Sequence, residues 1–172
     1  MKIICIGLSK TGTTSLASAM DILGYNVCDF IDIRTGRVAD MKSVEHYDFL
    51  SDTPMCLLYK KIKQQYPDSK FIHTIRDFES WINSIKGEFK GWKWTKFDDG
   101  RNEIYKRLYG NELNFTDTYY TYNSEVENTF KNDFNYMKLD ICRGEKWRKL
   151  CAFLNKPVPT VEFPWKNKKQ KI

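Results

Sequence analysis

The N-terminal residues alternate between an apolar run and an amphipathic stretch. Residues 3–6 read Ile-Ile-Cys-Ile, the pattern of a strand that is buried on both faces of a sheet. Apolar side chains then recur at helical spacing over residues 15–23, and Gly24 is a suitable end for that helix. The pattern therefore predicts a strand, a loop and a helix, with a second strand at 25–30.

The same alternation continues through the middle of the chain. Short apolar segments at 48–52 and 70–75 predict two more strands. An irregular polar stretch around 34–37 and a short helix near 41–47 are predicted to precede them. A longer helix is predicted over 53–66, because its Thr-Pro start supplies an N-cap and an N1 proline.

The C-terminal half carries an insert between the last two predicted strands. Asp77 can cap a helix with one apolar face. From 87 to 133 the sequence becomes aromatic and charged, and we expect an insert or lid there. Residues 136–141 predict a last core strand and residues 144–154 a final helix. Strands that alternate with helices favour a three-layer α/β/α fold with a central parallel sheet.

The composition fits one globular domain over residues 1–172. The chain is 41% hydrophobic and 15% aromatic, which suits a packed core. Its first apolar run is about six residues long, whereas a membrane-spanning helix needs roughly 20, so we expect no membrane span. The five cysteines are widely spaced with no CxxC pair, which indicates reduced thiols and a cytoplasmic location.

The net charge of +6 invites a comparison with nucleic-acid-binding proteins. Much of this charge comes from scattered lysines and from the basic tail at 166–171. No recognition-helix or RNA-binding motif accompanies it. We therefore expect no nucleic-acid partner, and a small polyanion is the better candidate ligand.

The loop between the first strand and the first helix carries the main chemical signal. Residues 7–15 read Gly-Leu-Ser-Lys-Thr-Gly-Thr-Thr-Ser, and two glycines five apart let the backbone N–H groups point inward at an anion. Nucleotide-triphosphatase loops place lysine directly after the second glycine, whereas Thr13 follows Gly12 here and the lysine is Lys10. The loop predicts a phosphate cradle of an unusual kind. The alternative is a plain glycine turn.

A second cation follows the strand predicted at 70–75. Arg76 ends that strand, and Ser84 lies eight residues later, about two helical turns away, so both can contact one phosphate. The alternative is a surface ion pair of Arg76 with Asp77 or Glu79. Because ligands bind at the carboxyl ends of parallel strands, we expect Arg76 and the first loop to converge.

Asp52, at the end of the strand predicted at 48–52, is a candidate general base. In that role it would take a proton from an attacking hydroxyl or amine. The alternative is that Asp52 only caps the helix that follows. His46 is a competitor for the role of base, whereas His73 lies inside a predicted strand and fits a core histidine.

Four segments together carry a family resemblance. They are the loop Ser-Lys-Thr-Gly-Thr-Thr-Ser at 9–15, Asp-Ser-Lys-Phe-Ile-His-Thr-Ile-Arg-Asp at 68–77, Ser84, and a closing set of Trp147, Phe153-Leu154, Pro157 and Phe163-Pro164. Together they resemble the sulfotransferases that use 3′-phosphoadenosine 5′-phosphosulfate (PAPS). The likeness leaves the aromatic insert unmatched.

The resemblance implies a three-layer α/β fold, PAPS as the donor and adenosine 3′,5′-bisphosphate (PAP) as the product. It assigns Arg76 and Ser84 to the 3′-phosphate. It assigns the 5′-phosphosulfate to Lys10, Gly12, Thr13 and Thr14. It implies that the nucleotide is also contacted by Ser9, Thr11 and Ser15 of the same loop and by a C-terminal loop at Lys166, Asn167 and Lys168. Ser15 stands where some members stack an aromatic residue on adenine, and Asp52 stands where cytosolic members place a catalytic histidine.

The expected reaction is in-line transfer of a sulfonate group to a hydroxyl or amine of a small molecule or saccharide. Lys10 would stabilise the charge that builds on the leaving phosphate, and no metal is required. One alternative is a kinase for a nucleotide or small metabolite, which would need ATP and Mg²⁺. Another is an inactive nucleotide-binding module.

The aromatic insert is the expected place for acceptor choice. Trp92 and Trp94 lie beside Lys90, Lys93 and Lys96, so they could stack on sugar rings or attract an acidic acceptor. The alternative is that these aromatic rings pack in the core and the lysines form a solvated face.

Overall fold

A five-stranded parallel sheet forms the centre of the protein. The computed structural model describes residues 1–94, 99–143 and 146–166. Its strands are β1 (Ile3–Cys5), β2 (Val27–Asp29), β3 (Ile31–Asp32), β4 (Arg37–Val38), β5 (Phe49–Ser51), β6 (Lys70–Thr74) and β7 (Tyr136–Leu139). The central sheet has the order β2-β5-β1-β6-β7 with parallel neighbours throughout, and β3 and β4 form a separate antiparallel hairpin.

Helices cover both faces of this sheet. They are α1 (Thr13–Ile22), α2 (Ser43–His46), α3 (Thr53–Gln65), α4 (Phe78–Glu88), α5 (Arg101–Tyr109), α6 (Phe115–Thr129) and α7 (Lys146–Leu154). Side chains of β1 alternate between two buried clusters, because Ile3 packs with α1 and α7 whereas Ile4 packs with α3 to α6. This arrangement confirms the three-layer fold predicted from the alternation of strands and helices.

The predicted boundaries shift by a few residues. The second strand is confined to Val27–Asp29 and the short helix to Ser43–His46. The final helix begins at Lys146, and its predicted start at Gly144 lies outside the described residues. None of the helices in the described part of the chain combines the length and apolarity that a bilayer crossing requires.

The stretch at 34–37, expected to be irregular, belongs to the β3–β4 hairpin. Asp32 anchors the hairpin from a buried position, where its carboxylate accepts hydrogen bonds from Ser43 Oγ at 2.8 Å, Tyr47 OH at 2.9 Å and Arg34 N at 2.9 Å. Burial alone raises the pKa of Asp32, yet these hydrogen bonds leave that pKa below its ordinary value. The hairpin depends on these contacts with distant residues, so the local sequence did not reveal it.

The aromatic insert at 87–133 is part of the core. Its helices α5 and α6 bury Tyr109, Phe115 and Val126 in the same cluster as α3 and α4. Tyr122 of α6 is also buried and donates a hydrogen bond to the carbonyl oxygen of Ile6 at 2.5 Å. The insert is therefore tied to the end of the first strand.

The tryptophans expected on the acceptor side have different surroundings. Trp92 is half-buried, with ring centroids 4.8 Å from Phe89 and 5.3 Å from Tyr105, so it takes part in core packing. The ammonium of Lys106 lies 5.2 Å from the ring centroid of Trp94. Lys96, the third lysine of that segment, lies outside the described residues.

Candidate active site

A cleft of about 500 Å³ lies at the carboxyl edge of the sheet. The loop after β1, the end of β5, the end of β6 and one side of α4 all contribute to its walls. Its lining residues are Ser9, Lys10, Gly12, Thr13, Thr14, Ser15, Asp52, Arg76, Ser80, Asn83, Ser84, Glu88, Phe89, Tyr105, Ile141, Cys142, Trp165 and Lys166. The parallel sheet thus brings the first loop, Asp52 and Arg76 together, as the strand-end rule predicts.

Two glycines let the loop between β1 and α1 pack closely on its neighbours. A Cβ atom on Gly7 would lie 1.9 Å from Thr74 Oγ1 and 2.5 Å from Thr74 O. Gly12 has a φ of +98°, and a Cβ there would lie 2.7 Å from Ile141 Cβ. Both positions therefore require glycine, and the N-terminus of α1 is directed at the cleft.

Buried side chains support this loop from the core. Trp81 Nε1 donates a hydrogen bond to Ser9 O at 2.9 Å. The buried Thr11 hydroxyl donates to Leu8 O at 2.6 Å and is hydrogen-bonded with Thr74 Oγ1 at 2.6 Å. Thr11 does not line the cleft among the described residues. Its hydroxyl therefore stabilises the loop, and the neighbouring loop residues would contact a ligand.

Lys10 and Arg76 are connected through the backbone of the loop. Arg76 Nη1 donates a hydrogen bond to Lys10 O at 3.1 Å, while Arg76 Nε is buried with no hydrogen-bond partner among the described residues. The Lys10 ammonium lies 3.0 Å from Glu88 Oε2. Both cations therefore reach the same cleft, and the guanidinium keeps donor capacity for a ligand.

The surface ion pair considered for Arg76 does not form. Asp77 instead caps α4, since its Oδ1 accepts from Ser80 N at 2.9 Å, and its Oδ2 pairs with Arg143 at 3.1 Å. Hydrogen bonding to Ser80 lowers the pKa of Asp77. Arg76 is thus left to interact with the loop.

One side of α4 presents polar groups to the cleft. Ser80, Ser84 and Glu88 are spaced four residues apart, so they lie along one face of the helix, and Asn83 joins them. The Ser84 hydroxyl therefore lies in the same cleft as the Arg76 guanidinium.

Asp52 caps α3 and has a strained backbone. Its Oδ1 accepts hydrogen bonds from Thr53 N at 2.7 Å and from Ser9 Oγ at 2.9 Å. The Ser9 and Thr53 hydroxyls also contact each other. Asp52 has a φ of +72°, which is unfavourable for any residue except glycine, and such positions cluster at functional sites. The capping role is confirmed, and the carboxylate nevertheless lines the cleft.

The two histidines lie away from the cleft. His46 is exposed and precedes β5, and its carbonyl oxygen accepts from Asn26 Nδ2, just before β2. It therefore lies at the amino edge of the sheet, on the opposite side from Asp52 and the cleft. His73 is fully buried in β6 between Tyr136 OH and Asn123 Oδ1, each at 2.9 Å. Burial lowers the pKa of His73 to about 4, which confirms a neutral core histidine.

The C-terminal segment passes beside the first turn of α1. The backbone N–H of Lys166 donates to Ser15 Oγ at 3.0 Å, and both residues line the cleft. Trp165 also lines it, with half of its surface exposed and the Lys146 ammonium 4.1 Å from its ring centroid. The other C-terminal candidates, Asn167 and Lys168, lie outside the described residues.

Comparison with known proteins agrees with this geometry. A family model described as a sulfotransferase domain matches residues 2–46 and 36–172. The chain belongs to the sulfotransferase-domain family. This confirms the resemblance seen in the motifs, and the match extends through the aromatic insert that those motifs had left out.

A curated relative supports the assignment at a distance. The protein named Ava biosynthesis cluster protein M, from Aspergillus versicolor, is 27% identical over 213 residues. The alignment covers 95% of this chain and 80% of the relative. The similarity therefore extends over nearly the whole of this chain.

Two carboxylates near the cleft were not predicted from the sequence. Asp29 ends β2 and accepts from Ser51 Oγ at 2.6 Å, and burial together with the nearby charge of Asp52 raises the pKa of Asp29. The strand-end rule that selected Asp52 could have selected Asp29 as well. Glu88 follows Ser84 by one helical turn, so the spacing puts both residues on the same face of α4. The ion pair between Glu88 and Lys10 could not be predicted, because the two residues are far apart in sequence.

The thiols and the possible metal ligands of the described residues are dispersed. All five cysteines are free, and Cys142 is the one that lines the cleft. Burial raises the pKa of the Cys142 thiol. In the described ranges, no group of three or more His, Cys, Asp or Glu side chains is arranged to hold a metal ion.

Proposed function

We propose that the protein transfers the sulfonate group of PAPS to a hydroxyl or amine of a small molecule or saccharide. The observation that carries this proposal is that Lys10 and Arg76 line one cleft from the ends of neighbouring strands. PAPS has anionic groups at both its 5′ and 3′ ends, so it matches two separate cations. The membership of the sulfotransferase-domain family supports the same reaction class.

The 5′-phosphosulfate would lie against the N-terminus of α1. Thr13 and Thr14 begin that helix and line the cleft, and the unpaired N–H groups of a first helical turn favour an anion. The Lys10 ammonium would move from Glu88 to the bridging oxygen of the donor. Lys10 would thereby stabilise the negative charge that develops on the leaving phosphate.

The 3′-phosphate would lie between Arg76 and Ser84. The buried Nε of Arg76 has no hydrogen-bond partner among the described residues, and a phosphate oxygen would satisfy it. The Ser84 hydroxyl can donate to the same phosphate from the adjacent face of α4.

Trp165 is a candidate platform for adenine. Some family members stack an aromatic residue on adenine at the position just after the paired threonines, and that residue is Ser15 here. The Ser15 hydroxyl oxygen accepts a hydrogen bond from the backbone N–H of Lys166. This hydrogen bond brings the C-terminal segment beside α1, and the neighbouring Trp165 offers an aromatic ring to the cleft near Ile141. Adenine would stack on that ring.

Asp52 would act as the general base. The described hydrogen bonds of its carboxylate go to Oδ1, so Oδ2 would take the proton of the acceptor hydroxyl or amine. The acceptor oxygen or nitrogen then bonds to sulfur while the bond from sulfur to the phosphate oxygen breaks. The electron pair of that bond leaves with PAP, beside Lys10, and the proton stays on Asp52.

Calorimetric titration with PAP tests the proposal. We expect the wild-type protein to bind PAP with a Kd on the order of micromolar, and Lys10→Ala and Arg76→Ala each to weaken binding about tenfold or more. ATP should bind much more weakly. Lys86→Ala, an exposed change on α4, is the matched control and should leave binding unchanged. A preference for ATP that depends on magnesium would favour the kinase alternative and overturn the proposal.

A further inference from the structure

Glu88 occupies a position where a carboxylate is unfavourable for its own helix. It is the last residue of α4, and the C-terminal end of a helix carries partial negative charge. An acidic side chain there is repelled by the end of the helix, whereas a cation is attracted to the acidic side chain and to the end of the helix. The Lys10 ammonium, 3.0 Å from Glu88 Oε2, is the cation that this position holds.

The proposed reaction draws Lys10 away from Glu88. The Lys10 ammonium, 3.0 Å from Glu88 Oε2, turns its N–H groups toward the charge that develops on the leaving phosphate, which weakens the ion pair with Glu88. When the donor draws Lys10 away, the Glu88 carboxylate is left at the end of α4 without its cation. The side chain of Glu88 is half exposed and lines the cleft, so a ligand in the cleft can reach the freed carboxylate.

The surroundings of Glu88 have the character of an amphipathic pocket. Phe89 and Tyr105 line the cleft beside it, and their ring centroids are 4.9 Å apart. Tyr105 has a raised pKa, caused first by burial; the negative charges of Asp52 and Glu88 raise this pKa further, and the positive charge of Arg101 lowers it. A ligand with an apolar frame and a positive charge would pack on the two rings and pair with the Glu88 carboxylate.

We propose that Glu88 is the specificity residue for the acceptor, and that it selects a molecule carrying an ammonium or guanidinium group on an aromatic or apolar frame. This inference rests on the proposed function. The acceptor cation replaces Lys10 as the partner of Glu88, while the acceptor hydroxyl or amine that reacts lies toward Asp52. Donor binding thereby prepares the acceptor site, so the two ligands bind with positive coupling.

Three phenols of similar frame test the inference. They are tyramine, which is cationic, 4-ethylphenol, which is neutral, and 4-hydroxyphenylpropionate, which is anionic. Their affinities are measured by calorimetry on protein saturated with PAP. We expect tyramine to bind about tenfold or more tightly than 4-ethylphenol, the size of one charge-assisted hydrogen bond, and the anion to bind most weakly. Tyramine affinity should fall when PAP is left out.

Glu88→Gln and Glu79→Gln are the matched variants. Both remove one carboxylate from α4, but Glu79 is exposed and does not line the cleft among the described residues. We expect Glu88→Gln to abolish the preference for tyramine and to tighten PAP binding, because Lys10 loses its competing partner. Glu79→Gln should do neither.

The failure of the inference is distinguishable from the failure of the proposed function. Equal affinities of the three phenols for PAP-loaded wild-type protein would overturn the inference alone, and so would a tyramine preference that survives Glu88→Gln. Absence of PAP binding would overturn the proposed function and the inference together. The effect of PAP on tyramine affinity is measured on the wild-type protein, so it does not depend on the folding of any variant.

Discussion

Arg76 donates a hydrogen bond from Nη1 to the backbone carbonyl oxygen of Lys10 over 3.1 Å. The residue proposed to hold the 3′-phosphate therefore also fixes the loop proposed to hold the 5′-phosphosulfate. Lys10 has a φ of +69°, a conformation that costs a residue other than glycine about 1 kcal/mol or more. The contact with Arg76 helps to offset that cost, so changes at Arg76 should affect both ends of the nucleotide.

Arg76→Lys tests whether the shape of the guanidinium matters as well as its charge. A single ammonium cannot contact the Lys10 carbonyl and a phosphate with the geometry of a planar fork. We expect PAP affinity to fall about tenfold or more. Affinity for adenosine 5′-monophosphate, which lacks the 3′-phosphate, should fall less. Calorimetry with both nucleotides measures the difference, and an equal loss for the two would argue against a contact with the 3′-phosphate.

Asp52→Asn separates capping from catalysis. An asparagine oxygen can still accept the hydrogen bond from Thr53 N, so α3 keeps its cap. We expect PAP affinity and thermal stability to change little, and turnover with an acceptor that the wild type uses to fall about 100-fold. The rate of PAP release gives the turnover. Asp48→Asn, at the amino edge of the sheet, is the control, and full turnover by Asp52→Asn would show that Asp52 is not the base.

Gly7→Ala should destabilise the protein more than Gly24→Ala. The new methyl group at Gly7 would collide with Thr74, including its backbone oxygen, and overpacking of this kind costs about 3 kcal/mol. Gly24 has a φ of +84° but open space around it, so alanine there costs about 1 kcal/mol through the backbone alone. Urea unfolding measures both values. Equal losses would mean that the loop can move away from β6 without difficulty.

His73 should make stability depend on pH. Its pKa is lowered to about 4 by burial, whereas an unfolded histidine titrates near 6.5. Between these values the unfolded chain binds the extra proton, so the free energy of unfolding falls as the pH falls from about 6.5 to 4, by on the order of 3 kcal/mol. Above about pH 6.5 this contribution is complete.

Urea unfolding at several pH values checks this dependence. His73→Gln should flatten the decline between pH 6.5 and 4.5, whereas His46→Gln, at an exposed position, should leave it unchanged. Carboxylates that titrate at lower pH contribute equally to both variants. A decline that is identical in His73→Gln and the wild type would contradict the assignment of a neutral buried histidine.

Local patterns were sufficient to predict the five strands of the central sheet, the loop after β1 and the cap at Asp77, whereas the N-cap of α3 is Asp52 and not the predicted Thr53. These features depend on spacing and on neighbouring residues. The inward direction of the Thr11 hydroxyl was not predictable, because a hydroxyl in a glycine-rich loop can serve a ligand or the core, and contact with Thr74 decides between them. The β3–β4 hairpin was missed for a related reason, since Asp32 is held by side chains of α2 and the residue after it.

The candidate site was predictable in its cations but not in its surroundings. Lys10 and Arg76 follow strands directly, so their convergence follows from the parallel sheet. Trp165 lines the cleft next to the hydrogen bond from Lys166 N to Ser15 Oγ, and Glu88 pairs with a lysine from a loop far away in sequence. Such contacts form only in the folded protein, and the sequence around each residue does not indicate them.

The hydrogen bond from Tyr122 to the carbonyl oxygen of Ile6 limits how this protein can be re-engineered. It joins the insert to the residue just before Gly7, so exchanging the insert for that of another family member would disturb the loop proposed to hold the 5′-phosphosulfate as well as the core. The insert is therefore not a module that can be swapped to change the acceptor. Altered acceptor preference is more accessible through single substitutions of exposed residues on the cleft side of α4, such as Asn83 and Glu88.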